Sequence, residues 1–342
     1  MMSIGVIGYG YWGPNLVRNF AELPNVRVGM VADLRPERLA PVSDRYPGIA
    51  VTTDIGALLT APRLDAVAIA TPVYTHFELA MQALRAGKHV LVTKPLAATV
   101  ADAERLVDEA VRRQLVLMVD HTFIYTGAVR KIRELIDAGR LGQLYYYDSV
   151  RVNLGLFQHD VNVLWDLAAH DLSIMDYVLG RTPHAVAATG VAHVAGQVES
   201  MAYLTCFFED RFLAHFHVNW LAPVKIRRTM IGGAAQMIVY DDLEPSEKLK
   251  VYDRGVTLNG NDESIYRALV GYRTGDMWAP QVDLTEALHI EAAHFVRCIE
   301  DATPPLTDGA AGLRVVRLLA AATESLNAHG RPVDPRTLAP SV

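Results

Sequence analysis

Short apolar runs alternate with amphipathic stretches over roughly the first 120 residues of the chain. The apolar runs have the length of buried strands. The stretches between them place Val, Ala and Leu at helical spacing, and several end at glycine. This alternation predicts a parallel sheet covered by helices on both faces. The predicted strands are 3–8, 26–33, 64–71, 88–92 and 115–120, and the predicted helices are 15–23, 77–87 and 100–114.

The pattern changes after about residue 122. Longer strand-like runs follow one another with short turns between them, which favours hairpins and a mostly antiparallel sheet. Helical spacing returns over 128–142, 285–301 and 309–330. The second half of the chain is therefore expected to combine one open sheet with a few helices.

Two domains are expected, because 342 residues exceed what one hydrophobic core usually holds. The fold class is α/β plus α+β. Residues 1–121 are predicted to form a Rossmann dinucleotide-binding domain. Residues 122–342 are predicted to form a substrate-binding and oligomerisation domain on an open, mostly antiparallel sheet. The helix over 309–330 is expected to pack near the first domain.

Composition excludes several other classes. The formal net charge of −6 argues against a nucleic-acid-binding protein, which would normally carry a basic stripe. Cys206 and Cys298 have no partner motifs, so neither a disulfide framework nor a thiolate zinc cluster is expected. No apolar run is long enough for a membrane span, and no signal sequence precedes the first strand. The expected location is the cytoplasm.

A glycine-rich turn, GYGYWG at 8–13, directly follows the first strand and opens a helix. In this context Gly8 allows a tight turn, Gly10 lets the backbone approach a pyrophosphate, and Gly13 lets the helix pack on the strand. Asp33, at the end of the second strand, is predicted to bind the adenosine ribose and to repel a 2′-phosphate, which favours NAD over NADP. The further predicted cofactor contacts are Tyr11, Trp12, Leu34 and Arg35. Arg35 and Arg38 weaken the predicted preference, and the alternative is a turn that packs a helix without a ligand.

The stretch VLVTKPLA at 90–97 ends an apolar strand with a lysine followed by a proline. Pro95 disfavours a helical backbone at Lys94, so the ammonium group is expected at the carboxyl end of a strand. Open α/β sheets bind their ligands at that edge. The alternative is a lysine on a solvated rim.

A second set of candidates lies in WDLAAHDLSIMDYVLG, 165–180, which is predicted to be one helix. Asp166 and His170 are four residues apart and share a helical face, so the carboxylate can orient the imidazole as a general base. The alternative is a solvent-facing pair. His159, Asp160 and Asp171 suggest a metal site, but their spacing matches no compact ligand pattern, so no metal is predicted.

These residues together suggest the oxidation of an alcohol. That reaction needs a hydride acceptor, a base for the hydroxyl proton and a cation for the developing alkoxide. The first domain supplies the dinucleotide and Lys94, and the second domain supplies His170.

The chain resembles the Gfo/Idh/MocA family of NAD(P)-dependent sugar oxidoreductases over essentially its whole length. The segments that carry the resemblance are GVIGYGYWGPNLVRNF (5–20), ATPVYTHFELAMQALRAGKHVLVTKPLA (70–97), HTFIYTGAVRKIRELIDAGRLG (121–142), RVNLGLFQHDVNVLWDLAAHDLSI (151–174) and TDGAAGLRVVRLLAAATESL (307–326). Within the family, GYGYWGPN and the motif around 151–171 resemble the nucleotide-sugar and amino-sugar 3-dehydrogenases.

The resemblance implies an active-site triad of Lys94, Asp166 and His170. It also implies that Thr71, Pro72 and His76 line the nicotinamide-ribose side, and that Arg151 and Asn153 contact the substrate. For the last two, a paired arginine and a solvated asparagine are equally good interpretations. One departure is Thr93, where most relatives carry glutamate before the lysine. A hydroxyl is expected to constrain Lys94 less than a carboxylate would.

The expected activity is NAD-dependent oxidation of a secondary ring hydroxyl at C3 of a hexose unit. The substrate is expected to be a nucleotide sugar or an aminoglycoside-type amino sugar. A 3-keto-sugar reductase, an inositol dehydrogenase and a non-catalytic dinucleotide-binding regulator are the alternatives. The expected partners are further copies of the chain, as a homodimer or homotetramer, and a downstream aminotransferase.

Overall fold

The structure is a computed structural model that describes residues 1–155, 161–194, 197–253, 255–258, 270–273 and 275–338. It contains two compact units. The first comprises Met1–Tyr125 and Thr285–Arg317, and the second comprises Thr126–Leu284 and Leu318–Leu338. The sequence predicts a boundary at 121/122 and places Thr285–Arg317 in the second domain. It also predicts that the helix over 309–330 packs near the first domain. Within the described ranges, no helix has the length and apolarity needed to cross a membrane.

The first unit is built on a six-stranded parallel sheet. Its strands are β1 (Met2–Ile7), β2 (Val26–Ala32), β3 (Ala50–Thr52), β4 (Ala66–Ile69), β5 (His89–Thr93) and β6 (Leu117–Asp120). Its helices are α1 (Gly13–Ala21), α2 (Ala40–Arg45), α3 (Ile55–Leu59), α4 (His76–Arg85) and α5 (Val100–Arg113). The strand order β3-β2-β1-β4-β5-β6 is that of a Rossmann fold, which confirms the predicted class.

The central strands are apolar along their whole length because helices cover both faces of the sheet. All four residues of β4 are buried, and so are the five residues that follow Met2 in β1. The carboxyl ends of parallel strands meet at one edge, so the residues after β1, β4, β5 and β6 come together there. This edge positions the glycine-rich turn and Lys94.

The second unit contains an eight-stranded sheet. Its strands are β7 (Leu144–Leu154), β8 (Ala185–Val191), β9 (Met201–Phe207), β10 (Leu213–Asn219), β11 (Leu221–Gly233), β12 (Met237–Asp241), β13 (Leu249–Tyr252) and β16 (Met277–Trp278). The strand order is β16-β13-β12-β11-β7-β10-β9-β8. All of its strand pairs are antiparallel except β7 with β10, so the prediction of a mostly antiparallel sheet is confirmed. A separate hairpin pairs β14 (Gly255–Leu258) with β15 (Val270–Arg273).

Residues on alternate sides of this sheet differ in burial. Along β9, Ala202, Leu204 and Cys206 are fully buried, whereas Tyr203 on the other side is 40% exposed. The helices of the second unit include α6 (Gly127–Asp137) and α7 (Ala169–Leu179). The last two helices of the chain are α8 (Ala287–Glu300) and α9 (Gly309–Asn327).

Candidate active site

The glycine-rich turn has the shape of a phosphate cradle. Gly8 has a φ of +92°, and a Cβ there would lie 2.6 Å from the carbonyl oxygen of Ala70. A Cβ on Gly13 would lie 2.1 Å from the carbonyl oxygen of Gly8. These two glycines are therefore required by the turn itself. A Cβ on Gly10 would meet only the guanidinium end of Arg38, at 3.2 Å, so this stretch of backbone stays open for a pyrophosphate at the start of α1.

Asp33 lies directly after β2 and is only 6% exposed. Its Oδ2 accepts a hydrogen bond from the backbone N–H of Tyr9 at 2.7 Å, and its Oδ1 accepts a hydrogen bond from the backbone N–H of Arg35 at 2.9 Å. Arg38 Nη1 lies 3.6 Å from Oδ2. A carboxylate offers about four acceptor sites, so ribose hydroxyls can still bind. Asp33 thus fits a ribose and also fastens the glycine-rich turn to the second strand.

The other predicted cofactor residues of this turn lie at its surface or beside it. Tyr11 is 91% exposed and Leu34 is 73% exposed. Trp12 Nε1 donates to Asp120 Oδ2 at 2.5 Å, and Thr122 Oγ1 donates to Asp120 Oδ1 at 2.5 Å. Asp120 was missed in the sequence, although it ends the predicted strand 115–120. It holds the Trp12 side chain, and with it the turn, against the end of β6.

Glu291 of α8 is fully buried in the same unit. Burial, followed by the neighbouring carboxylate of Asp120, raises the pKa of Glu291 well above its ordinary value. Burial therefore favours the neutral form of the Glu291 carboxyl group.

Lys94 follows β5 directly, at the predicted edge, and is partly buried. The neighbouring Thr93 places its Oγ1 3.3 Å from His76 Nε2. His76 is 1% exposed, with Nδ1 2.8 Å from the carbonyl oxygen of Pro95 and Nε2 2.8 Å from that of Thr71. His76 therefore ties the segment after β4 to the segment that carries Lys94. Pro72, next to Thr71, is exposed.

Two buried histidines lie within the electrostatic range of Lys94. Burial lowers the pKa of His76, hydrogen bonds to the carbonyl oxygens of Pro95 and Thr71 oppose this effect, and the charge of Lys94 adds to the lowering. Burial, followed by the charge of Lys94, lowers the pKa of His121 to about 3. Neither ring nitrogen of His121 has a hydrogen-bond partner among the residues that the structure describes. Both imidazoles are neutral near pH 7, so neither adds a positive charge beside the Lys94 ammonium.

In the second unit, the segment 165–180, predicted to be one continuous helix, starts with a different helical turn. Leu164–Ala168 form a π-helical turn, and α7 follows from Ala169. The side chain of Asn162 caps this start, because its Oδ1 accepts hydrogen bonds from two backbone N–H groups, at 3.2 and 3.3 Å. π-turns occur frequently at functional sites. Asp166 lies in the π-turn and His170 in the first turn of α7, and both are partly buried.

Trp220 is a residue of this region that the sequence analysis missed. Its Nε1 donates a hydrogen bond to Asp166 Oδ2 at 2.9 Å, and its side chain is fully buried. The two residues are 54 positions apart, so no local spacing indicates the contact.

Arg151 lies inside the protein. It is 3% exposed, its Nε donates to Asp171 Oδ2 at 2.6 Å, and its Nη2 lies 3.2 Å from Oδ1. Ser149 Oγ also donates to Asp171 Oδ1, at 3.0 Å. Arg151 of β7 thus connects α7 to the sheet. This agrees with the interpretation of Arg151 as a paired arginine, and we do not propose Arg151 as a substrate contact. Asn153, further along β7, is partly exposed and stays a predicted substrate contact.

Of the three residues considered for a metal site, Asp171 is the one that lies within the described part of the chain. His159 and Asp160 lie outside the described residues, and Asp171 is engaged by Arg151. Over the described part of the chain, no group of three His, Cys, Asp or Glu side chains is placed to hold a metal ion.

Known protein families match both units. The NAD-binding Rossmann fold of the Gfo/Idh/MocA oxidoreductase family matches residues 2–121, and the Gfo/Idh/MocA C-terminal domain matches 129–239. A UDP-N-acetylglucosamine 3-dehydrogenase from Acidithiobacillus ferrooxidans is 31% identical over 321 residues, covering 92% of this chain and 94% of the relative. A solved structure of that organism's UDP-N-acetylglucosamine 3-dehydrogenase has a TM-score of 0.81 at 28% identity, covering 96% of this chain and 98% of the other.

Two further relatives are similar in part or in fold. A dTDP-3,4-didehydro-2,6-dideoxy-α-D-glucose 3-reductase from Streptomyces violaceoruber is 34% identical over 172 residues, which is 47% of this chain and 49% of the reductase. GenD2 from gentamicin A biosynthesis, solved with NAD, has a TM-score of 0.81 at 23% identity, covering 97% and 96% of the two chains. At that identity the second likeness shows the fold alone. The matches extend over both units and agree with the glycine-rich turn and its acid: the chain belongs to the Gfo/Idh/MocA family of NAD-binding oxidoreductases.

Proposed function

We propose that this protein oxidises a secondary ring hydroxyl, at C3 of the hexose unit of a nucleoside-diphosphate sugar, with NAD as the oxidant. The observation that carries the proposal is the 31% identity to a UDP-N-acetylglucosamine 3-dehydrogenase over nearly the full length of both chains. An amino sugar of the aminoglycoside type is the second substrate class. We favour the nucleotide sugar because the likeness to GenD2 extends only to the fold.

The proposed roles follow the chemistry of the side chains. NAD supplies the hydride acceptor when it is bound. His170 takes the proton of the hydroxyl, Asp166 orients the His170 imidazole, and the Lys94 ammonium stabilises the developing alkoxide. Asp33 accepts hydrogen bonds from the ribose, which favours NAD over NADP.

Thr93 shapes the surroundings of Lys94 in this proposal. Its hydroxyl oxygen is 3.3 Å from Nε2 of the buried His76, and an uncharged side chain therefore precedes the lysine.

The reverse direction is a second candidate. The partial relative from Streptomyces violaceoruber is named as a 3-reductase and matches about half of this chain at 34% identity. The same residues serve a reduction, with His170 returning the proton to the carbonyl oxygen.

We also propose that copies of the chain associate through the open face of the second sheet. On this face Tyr203 stacks on His217 with ring centroids 4.6 Å apart and is 40% exposed. Leu213 on the adjacent strand is 37% exposed. A homodimer or homotetramer would cover these side chains. A 3-keto product is a substrate for an aminotransferase, which is the partner expected downstream.

The test is NADH formation by the purified chain. NAD is supplied with UDP-N-acetylglucosamine, UDP-glucose, glucose 6-phosphate, myo-inositol or an aminoglycoside, and each reaction is repeated with a 2-oxoglutarate-dependent aminotransferase to remove an unstable ketone. NADH formation is expected with a UDP-hexose and not with free myo-inositol. NADH formation only with an aminoglycoside would overturn the substrate class. NAD binding without turnover of any substrate, in either direction, would favour a non-catalytic regulator.

A further inference from the structure

Trp220 occupies a fixed place between two strands of the second unit. It follows β10, its backbone N–H donates to the carbonyl oxygen of Ser200 at 2.9 Å, and its own carbonyl oxygen accepts from Gly155 at 3.0 Å. Its side chain is fully buried. The backbone on both sides of the indole is therefore tied to neighbouring segments.

Gly155 also fixes the indole ring. A Cβ on Gly155 would lie 2.7 Å from Trp220 Cδ1, closer than side chains approach one another in proteins. The absence of a side chain at 155 thus lets the ring pack directly on the end of β7. From this position the ring points its only donor, Nε1–H, at Asp166 Oδ2, 2.9 Å away.

The two carboxylates near His170 are matched by different kinds of donor. Asp171 receives the guanidinium of Arg151, so a full positive charge balances it. Asp166 receives the N–H of a neutral indole. The hydrogen bond from the indole N–H fixes the direction of the Asp166 carboxylate.

We propose that Trp220 is a positioning residue for the dehydrogenase, because its indole N–H holds the Asp166 carboxylate in one direction so that Asp166 can orient His170. This inference rests on the proposed roles of Asp166 and His170. Trp220 itself touches neither substrate nor cofactor in the proposal.

The test compares Trp220→Phe with Trp165→Phe. Trp220→Phe removes the N–H and keeps an aromatic ring in the packed position. Trp165 lies in the same π-turn, and its Nε1 donates to the neutral hydroxyl of Thr323 at 2.9 Å, so its replacement is a matched loss of an indole hydrogen bond. With the sugar that gives NADH, Trp220→Phe is expected to lower kcat about tenfold to hundredfold, because bonds to charged groups are the stronger ones. Its KM and its NAD dissociation constant should stay within about twofold of the wild-type values.

A double-mutant cycle separates positioning from general loosening. Trp165→Phe should leave kcat near the wild-type value. In an Asp166→Asn background, Trp220→Phe should have little further effect on kcat. An unchanged kcat in folded Trp220→Phe, an equal loss of kcat in Trp165→Phe, or full additivity with Asp166→Asn would each overturn the proposal.

A second measurement needs neither turnover nor a stable Trp220 variant. In ¹⁵N NMR spectra of the wild-type chain, one indole N–H signal should be protected from solvent exchange and should shift in Asp166→Asn. If no protected indole signal responds to Asp166→Asn, the hydrogen bond is absent and the proposal is wrong. A responding indole in a chain without turnover would leave Trp220 holding Asp166 and place the failure in the proposed reaction.

Discussion

The glycine-rich turn of the first unit and the Asp166 turn of the second unit are held in different ways. In the glycine-rich turn, backbone atoms fix the geometry: Gly13 lies against the carbonyl of Gly8, and Gly8 lies against that of Ala70. In the Asp166 turn, remote side chains fix it, since Trp220 holds Asp166 and Arg151 holds Asp171. Substitutions in the glycine-rich turn should act by placing side-chain atoms where backbone atoms already lie. Substitutions around the Asp166 turn should act by removing a polar partner.

The largest expected effects come from the groups proposed to do the chemistry, one in each unit. Lys94→Ala and His170→Ala should each lower kcat by at least about 10²-fold, the lower range for positioned acid–base catalysis. The NAD dissociation constant, measured by fluorescence quenching, should change little in His170→Ala. Near-normal turnover in either variant would contradict its assigned role.

Arg151 tests the support beneath the second turn. Arg151→Met leaves the buried carboxylate of Asp171 without its cation and should lower the free energy of unfolding by about 3–5 kcal/mol. Urea denaturation followed by circular dichroism measures this change. Adding Asp171→Asn, which removes the stranded charge, should restore part of the stability. A variant as stable as the wild type would show that the pair contributes no support.

Gly13 and Gly10 of the glycine-rich turn distinguish a glycine needed for backbone packing from a glycine needed for the approach of a ligand. Gly13→Ala places a Cβ 2.1 Å from a carbonyl oxygen and should destabilise the fold by about 1–3 kcal/mol, as overpacking does. Gly10→Ala meets only the end of Arg38, so its melting temperature should stay near the wild-type value. Its affinity for NAD should fall about tenfold, equivalent to ~1.4 kcal/mol. The same loss of stability in both variants would remove the distinction between the two glycines.

The smallest expected effect concerns cofactor choice. Asp33→Ser removes a charged acceptor from the ribose and lowers the repulsion of a 2′-phosphate beside Arg38. The ratio of kcat/KM for NAD to that for NADP should fall about tenfold, the value of one charge-assisted hydrogen bond. Steady-state rates with the two cofactors give this ratio. An unchanged ratio would leave Asp33 with only its bonds to the backbone of Tyr9 and Arg35.

The first unit is predictable where its signals are local. The buried strands, the glycine-rich turn and Asp33 follow one another within 33 residues, and each depends on its immediate neighbours. Short exposed elements escape this logic. The strand Ala50–Thr52 is three residues long and lies at the sheet edge with no buried residue, so it has no apolar run to indicate it.

The second site is less predictable because it depends on tertiary contacts. The i,i+4 spacing of Asp166 and His170 predicts one continuous helix, but a π-turn at Leu164–Ala168 precedes α7. The partners of the two acids are distant in the sequence: Trp220 lies directly after β10, and Arg151 lies on β7. A lone tryptophan or arginine in a strand pattern does not reveal which carboxylate it meets.

His121, the buried neighbour of Lys94, makes folding a proton-linked process. Its pKa is about 3 in the folded chain and near 6.5 in an unfolded one. Above pH 6.5 neither state binds the proton, and this histidine leaves stability unaffected. As the pH falls from about 6.5 toward 3, His121 binds a proton in the unfolded chain but not in the folded chain. The free energy of unfolding therefore decreases progressively. The buried, neutral imidazole of His121 therefore makes the folded chain sensitive to acid.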